Sequence, residues 1–143
     1  MATVKSILDE KGGNVFSVSP GTSVYHALEL MVEKNVSSLL VTEHDKLAGI
    51  FTERDYARKV VLKGKSSKET PVSDIMTANV ITVTPNNTID ECMLLMTGKF
   101  IRHLPVVEDG KLLGVVSIGD LVRSIIHEQK FIIENMQQYI AGT

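Results

Sequence analysis

The chain has one cysteine, no tryptophan and four prolines in 143 residues. A single cysteine closes no internal disulfide, which fits a reducing compartment, and the cytoplasm is the expected location. No stretch approaches the roughly 18 consecutive apolar residues that a membrane helix needs, and Met1–Glu10 lacks the apolar run of a signal peptide, so no membrane partner is expected. The formal net charge of -2 exerts no general pull on nucleic acid. Lys63, Lys65 and Lys68 form the one locally basic run, a poor basis for nucleic-acid binding in an acidic protein. There is no Gly-x-x-x-x-Gly-Lys-Thr loop, no nucleophile elbow, no Cys-His cluster and no His-x-x-x-His. The expectation is a protein with no catalytic residues, no metal and no catalytic cofactor.

What is present is a duplication. Sliding Val15–Val60 onto Val80–Ile125 needs no gap and leaves about 14 identical positions in roughly 46. Pro20 falls on Pro85, Leu30-Met31 on Leu95-Met96, Lys46-Leu47 on Lys111-Leu112, and Asp55 on Asp120. Each half alone, at roughly 60 residues, would bury too little surface to be comfortably stable, so the halves are expected to share one module.

Both halves read alike. An extended stretch, Val15–Val18 or Val80–Val83, leads through a proline turn into an amphipathic helix. Val24, Ala27, Leu28 and Met31 share a helix face, as do Ile89, Cys92, Met93 and Met96, which makes Cys92 a core residue rather than a nucleophile. Two apolar strands follow, 38–42 with 47–51 and 103–107 with 112–116, joined by hairpin turns at His44-Asp45-Lys46 and Asp109-Gly110-Lys111. Between the halves, Lys63–Pro71 reads as a polar loop, with Thr70 capping and Pro71 opening a short helix through Ile75-Met76. Ser6-Ile7-Leu8 is the candidate counterpart of that short helix. The final helix outruns the repeat, with Val122, Ile125, Gln129, Ile132, Met136 and Ile140 stepping by three and four. Such an apolar stripe needs a cover, and a second copy of the chain is the expected one, with packing against the same chain the competing reading.

The repeated chemistry lies in Gly49-Ile50-Phe51-Thr52-Glu53-Arg54-Asp55 and Gly114-Val115-Val116-Ser117-Ile118-Gly119-Asp120. A strand that ends and a helix that begins at the hydroxyl residue should leave amides around Glu53-Arg54 or Ile118-Gly119 for a phosphate. Thr52 or Ser117 can donate to that phosphate, while Asp55 or Asp120 can accept both hydroxyls of a ribose. Thr-x-x-Asp and Ser-x-x-Asp are also capping boxes, which need no ligand.

Together with Asp74–Thr77 and Ile101–Val107, these segments resemble a tandem pair of CBS domains, a Bateman module, over roughly residues 16–126. Stand-alone prokaryotic pairs and plant organellar CBS proteins are similar through Lys65–Lys68 and Val116–Asp120. The resemblance implies an α+β fold of two β-α-β-β-α repeats packed sheet to sheet about a pseudo-twofold axis. On this chain the repeats span 7–62 and 72–128, with a linker at 63–71 and a helical extension at 129–143. It further implies a non-catalytic regulatory module that binds AMP, ADP, ATP, NAD(H) or S-adenosylmethionine, with AMP or NAD(H) favoured. Signalling to a protein partner in trans by conformational change is implied as well, and the alternative is an interaction regulator of a redox enzyme with the ligand secondary.

By that resemblance one site combines Ser117 and Asp120 with Asn14 to Phe16, Val36 and Ser37, and the other combines Thr52 and Asp55 with Val80 to Thr82, including Ile81, and Ile101. Arg102 and His103 occupy positions where related modules place phosphate-contacting residues, and a solvated strand edge is the competing reading. Their counterparts are Ser37 and Ser38, so the Asp55 site would rely on Arg54, Arg58 or a linker lysine. Lys65 and Ser67, if their loop folds over a site, suit a second phosphate. His103 is also a candidate for pH-dependent affinity.

Overall fold

The computed structural model describes residues 2–12 and 15–141; Asn14, expected beside an adenine, lies outside them. In chain order the elements are α1 (Val4–Lys11), β1 (Ser17–Val18), α2 (Val24–Lys34), β2 (Ser38–Glu43), β3 (Lys46–Thr52) and α3 (Glu53–Asp55), which runs on as a π-helical stretch, Tyr56–Val61. A 3-10 turn, Val72–Asp74, precedes α4 (Ile89–Lys99), β4 (His103–Glu108), β5 (Lys111–Ser117) and α5 (Ile118–Ala141). The α+β class is as expected.

The displacement that takes Pro20 to Pro85 also takes α2 onto α4, β2 onto β4 and β3 onto β5, end to end. Local chemistry explains the match. Ser23 Oγ accepts the His26 amide at the start of α2, and Thr88 with Glu91 forms a capping box at the start of α4. Both helices end on a left-handed residue, Asn35 and Phe100. Both hairpins turn on two residues of positive φ, His44-Asp45 and Asp109-Gly110, the geometry that matches strand twist. Only the Gly110 turn carries the residue type that announces it.

Two compact units emerge, one of residues 14–81 with 109–112, the other of residues 1–13, 82–108 and 113–143. In the first, β1 lies parallel to β2, and β2 pairs antiparallel with β3 from Ser38↔Thr52 to Glu43↔Lys46. Val24, Ala27, Met31, Leu39, Val41, Phe51, Val60, Val72 and Ile75 form its buried core. At about 1.5–3 kcal/mol for each large apolar side chain, this burial is the main favourable term. The segment after the 3-10 turn closes the sheet edge, for Ile50 and Thr77 exchange both backbone hydrogen bonds at 3.0 and 2.9 Å. The turn begins at Val72 rather than Pro71, because Pro71 is held extended in a bridge to Ser23 while Thr70 gives its carbonyl to the Val24 amide.

The expected strand 80–83 shrinks to one parallel bridge in the second unit, Val83↔Val106. Leu40 donates its amide to Phe16, whereas its counterpart Pro105 has no N–H to give. The helix α1 belongs to this unit: the Val4 and Lys5 amides donate to the Asn87 and Pro85 carbonyls, and Val4 and Ile7 are buried. Cys92 is buried, and burial pushes its thiol up to about 11, as suits a core residue.

The motif glycines have a shared reason. A Cβ on Gly49 would meet Met76 Sδ at 2.7 Å and the Thr77 carbonyl at 2.8 Å, and one on Gly114 would meet a Leu8 methyl at 2.8 Å. Each marks the close approach of another segment of its unit, 72–77 in the first and α1 in the second.

Candidate functional site

The first strand-to-helix junction is built by reciprocal capping. Asp55 donates its amide to Thr52 Oγ1 at 3.1 Å, and Asp55 Oδ2 accepts the Thr52 amide and hydroxyl, each at 3.1 Å. The other carboxylate oxygen accepts from Lys59 Nζ at 3.1 Å and Thr77 Oγ1 at 3.3 Å. Lys59 also reaches the Ile75 carbonyl at 3.1 Å. The Asp55 side chain is 10% exposed, whereas the Lys59 side chain that meets it is 44% exposed.

The second junction repeats the plan with different partners. The Ser117 amide donates to Asp120 Oδ2 at 2.9 Å, and the Asp120 amide donates to Ser117 Oγ at 3.2 Å. Lys11, from the last turn of α1, places Nζ 2.8 Å from the same Oδ2 and 2.9 Å from the Val115 carbonyl. Arg123 Nη2 donates to Asp120 Oδ1 at 2.6 Å. Burial of Asp120, whose side chain is 6% exposed, favours the neutral acid, yet Lys11 and Ser117 outweigh it and hold the carboxyl below its ordinary value.

The capping reading of Thr-x-x-Asp and Ser-x-x-Asp is thus realised at both junctions. One expectation needs correction: the leading amides do not both await a phosphate. Glu53 donates to the Ser37 carbonyl at 3.3 Å and Ile118 to the Arg102 carbonyl at 2.9 Å, while the Asp amides go to the hydroxyls. The antiparallel rung Ser38↔Thr52 is what carries Ser37 to Glu53.

Of the residues expected at a site, Phe16, Ser37, Thr52, Arg54, Asp55, Lys65, Ser67 and Ile81 fall in the first unit, and Ile101, Arg102, His103, Ser117 and Asp120 in the second. Phe16 is half-buried, with the Lys34 ammonium 5.5 Å from its ring centre. Lys65 is exposed, its amide on the Val60 carbonyl; Ser67 accepts the Tyr25 amide, and Lys68 lies over the Tyr25 ring. Ser67 lines a shallow cleft with Glu29 and Glu33, whose charge is the wrong sign to hold a phosphate beside it. Arg102 is exposed, and His103 is half-buried. Burial pushes His103 below its ordinary value, Arg102 and Lys11 add to this, and Asp120 opposes them. A neutral imidazole at pH 7 offers a hydrogen bond but no charge.

Lys11, Lys59, Thr77 and Arg123 touch the motif acids and were not among the expected site residues. Lys59 and Arg123 stand four and three residues after their acids, a helical spacing legible in the chain. Thr77 closes the Asp74–Thr77 segment. Lys11 has no local signal, for it meets Asp120 only through the docking of α1. A cleft of about 420 Å³ opens beside Asp120, lined by Ile7, Glu10, Lys11, Arg123, His127 and Lys130 among others. Among the described residues no cluster of His, Cys, Asp and Glu could hold a metal, and no helix is long and apolar enough to cross a membrane.

The CBS domain family matches the chain twice, over residues 4–62 and 72–127. The chain is 42% identical over 149 residues to the mitochondrial CBS domain-containing protein CBSX3 of Arabidopsis thaliana, covering 98% of this chain and 72% of that one. A CBS-domain protein from Burkholderia ambifaria MC40-6 superposes with a TM-score of 0.87 at 53% identity, covering 90% and 96% of the two chains. The CBS domain pair of protein MJ0100, solved in complex with 5′-methylthioadenosine and S-adenosyl-L-methionine, superposes with a TM-score of 0.77 at 29% identity, covering 87% and 99%.

Proposed function

We propose, for a chain that belongs to the CBS domain family, that it is a non-catalytic cytoplasmic module that binds an adenosine nucleotide, AMP or NAD(H) by preference, and passes its occupancy to a protein partner. Repeats 7–62 and 72–128, with the linker 63–71 and the extension 129–143, act together in this reading. The observation that carries it is a buried acid, three residues after a hydroxyl, at the same place in both repeats, Asp55 paired with Lys59 and Asp120 with Lys11 and Arg123. Asp55 and Asp120 take the ribose hydroxyls. Ile81 walls the adenine of the Asp55 site. Arg54 approaches the phosphate of the Asp55 site, and Arg102 and His103 that of the Asp120 site. Support comes from the adenosine compounds bound by the related pair of MJ0100.

Occupancy acts by shifting the equilibrium between conformations, and only contacts that differ between those conformations supply the energy. The output surface is α5, where Val122, Ile126, Phe131, Ile132, Ile133, Met136 and Ile140 are exposed. A homodimer across this stripe fits a helix whose apolar face outruns its own repeat. Thermal shift against AMP, ADP, ATP, NADH and S-adenosylmethionine tests the ligand class, because a true ligand raises the melting temperature by mass action. No rise with any of them refutes the sensor reading. A monomer in sedimentation at micromolar concentration refutes the homodimer.

A further inference from the structure

The cleft between α1 and α5 is one-sided in its chemistry. Arg123, His127 and Lys130 share one face of α5, and Lys11 faces them from α1. Helix geometry spreads the three α5 positions over about 10 Å, starting beside the motif acid. Two acids line the same space, Asp120 and Glu10, and Asp120 is already held by Lys11 and Arg123. Among the described residues, Lys130 and His127 have no ion-pair partner.

Asp120 Oδ2 already accepts Ser117 and Lys11, and Oδ1 accepts Arg123. A ribose that brings two hydroxyl donors must therefore displace at least one cation from the carboxylate. A neutral nucleoside offers the displaced ammonium or guanidinium nothing in return. A ligand with several phosphates offers each a charged acceptor, and Arg123, His127 and Lys130, stepped along α5, extend a row of donors away from the sugar to meet those phosphates.

We propose that the cleft between α1 and α5 is a polyphosphate subsite for the nucleotide whose ribose Asp120 holds, so that this half of the chain selects ligands with two or more phosphates over uncharged or cationic adenosine compounds. The assignment of the sugar to Asp120 rests on the function proposed above; the anion preference of the cleft does not. Lys11 and Arg123 then act as exchangeable counter-ions, resting on Asp120 when the site is empty and turning to phosphate when it is filled.

Calorimetry of the full chain with adenosine, 5′-methylthioadenosine, AMP and ATP, and with tripolyphosphate alone, tests this. ATP should bind at least about tenfold tighter than either uncharged compound. Tripolyphosphate should bind saturably at low salt and compete with ATP. The double substitution His127→Glu with Lys130→Glu should cut the ATP-to-adenosine affinity ratio by at least about tenfold and weaken tripolyphosphate, while Lys46→Glu, a reversal of the same sign at the exposed start of β3 and outside every proposed site, leaves the ratio as it is. A His127→Gln, Lys130→Gln pair keeps the test valid if the charge reversals disturb folding. Equal affinities for ATP and adenosine in the unaltered chain, or a ratio indifferent to the cleft substitutions, overturn the subsite. If no adenosine compound binds, the proposed function falls, and tripolyphosphate alone then decides the cleft: saturable binding lost in the variants upholds it, and no binding overturns it.

Discussion

The two motif junctions share a backbone plan and differ in what reaches the acid. At Asp55 both added partners are near in the chain, Lys59 one helical turn on and Thr77 from the segment that pairs with Ile50. At Asp120 one partner is local, Arg123, and the other is Lys11 from the far end of the chain. Lys11 Nζ bonds the Val115 carbonyl, and at the equivalent Ile50 carbonyl the donor is the Thr77 amide. A backbone bond has thus been exchanged for a side-chain cation. The difference teaches that duplication conserves the cap and leaves the charge environment of the acid free to diverge.

The largest expected effect concerns the glycines. Gly49→Ala presses a methyl against the Thr77 backbone as well as Met76, whereas Gly114→Ala meets only the flexible end of Leu8. Overpacking costs about 1–3 kcal/mol, and Gly49→Ala should lie near the top of that range and Gly114→Ala near the bottom. Urea denaturation measures both, and equal costs would mean that the two approaches are equally tight.

Next come the acids. Asp120→Ala and Asp55→Ala each lose a cap, about 1 kcal/mol. Asp120→Ala also frees two cations, Lys11 and Arg123, where Asp55→Ala frees one, Lys59. The Asp120 substitution should therefore be the more salt-dependent in a melting series, and the same dependence for both would erase the contrast.

Lys11→Met should change stability little, within about 1 kcal/mol, because the ammonium is partly exposed and screened. Its signature is in acid. Folding holds the Asp120 carboxyl below its ordinary 3.8, so the unfolded chain takes up the proton first as acid is added. The stabilisation is complete above 3.8 and is lost as pH falls through the folded value. Lys11→Met should shrink that loss, as seen in denaturation midpoints across the acid range.

The smallest effect belongs to His103, held below its ordinary 6.5. Its contribution is full above 6.5 and is lost as pH falls toward the folded value, because only the unfolded chain readily takes the proton there. His103→Gln should flatten that window, and an unchanged slope would place the imidazole in water.

Much of this was legible in the chain. The repeat predicted α2, α4 and the two hairpins, since caps, apolar faces and turns all recur at one displacement. The motif predicted a hydroxyl facing an acid at each junction. What escaped detection is non-local or sterically subtle. Pro105 removes a strand rung by lacking one hydrogen, and Pro71 lies extended because of its bridge to Ser23. Nothing near Lys11 foretells Asp120, because their meeting depends on α1 docking through Val4, Ile7 and Leu8. The occupied Glu53 and Ile118 amides likewise follow from strand pairing, which a motif spacing does not encode.

The most direct test is calorimetry of AMP and NADH with the unaltered chain and with Asp55→Asn and Asp120→Asn, substitutions that keep the shape of the acid and remove its charge. The account predicts saturable binding in the unaltered chain, weakened at least about tenfold by one or both substitutions as the charge-assisted ribose bonds are lost. Binding that both variants retain at full strength would contradict it.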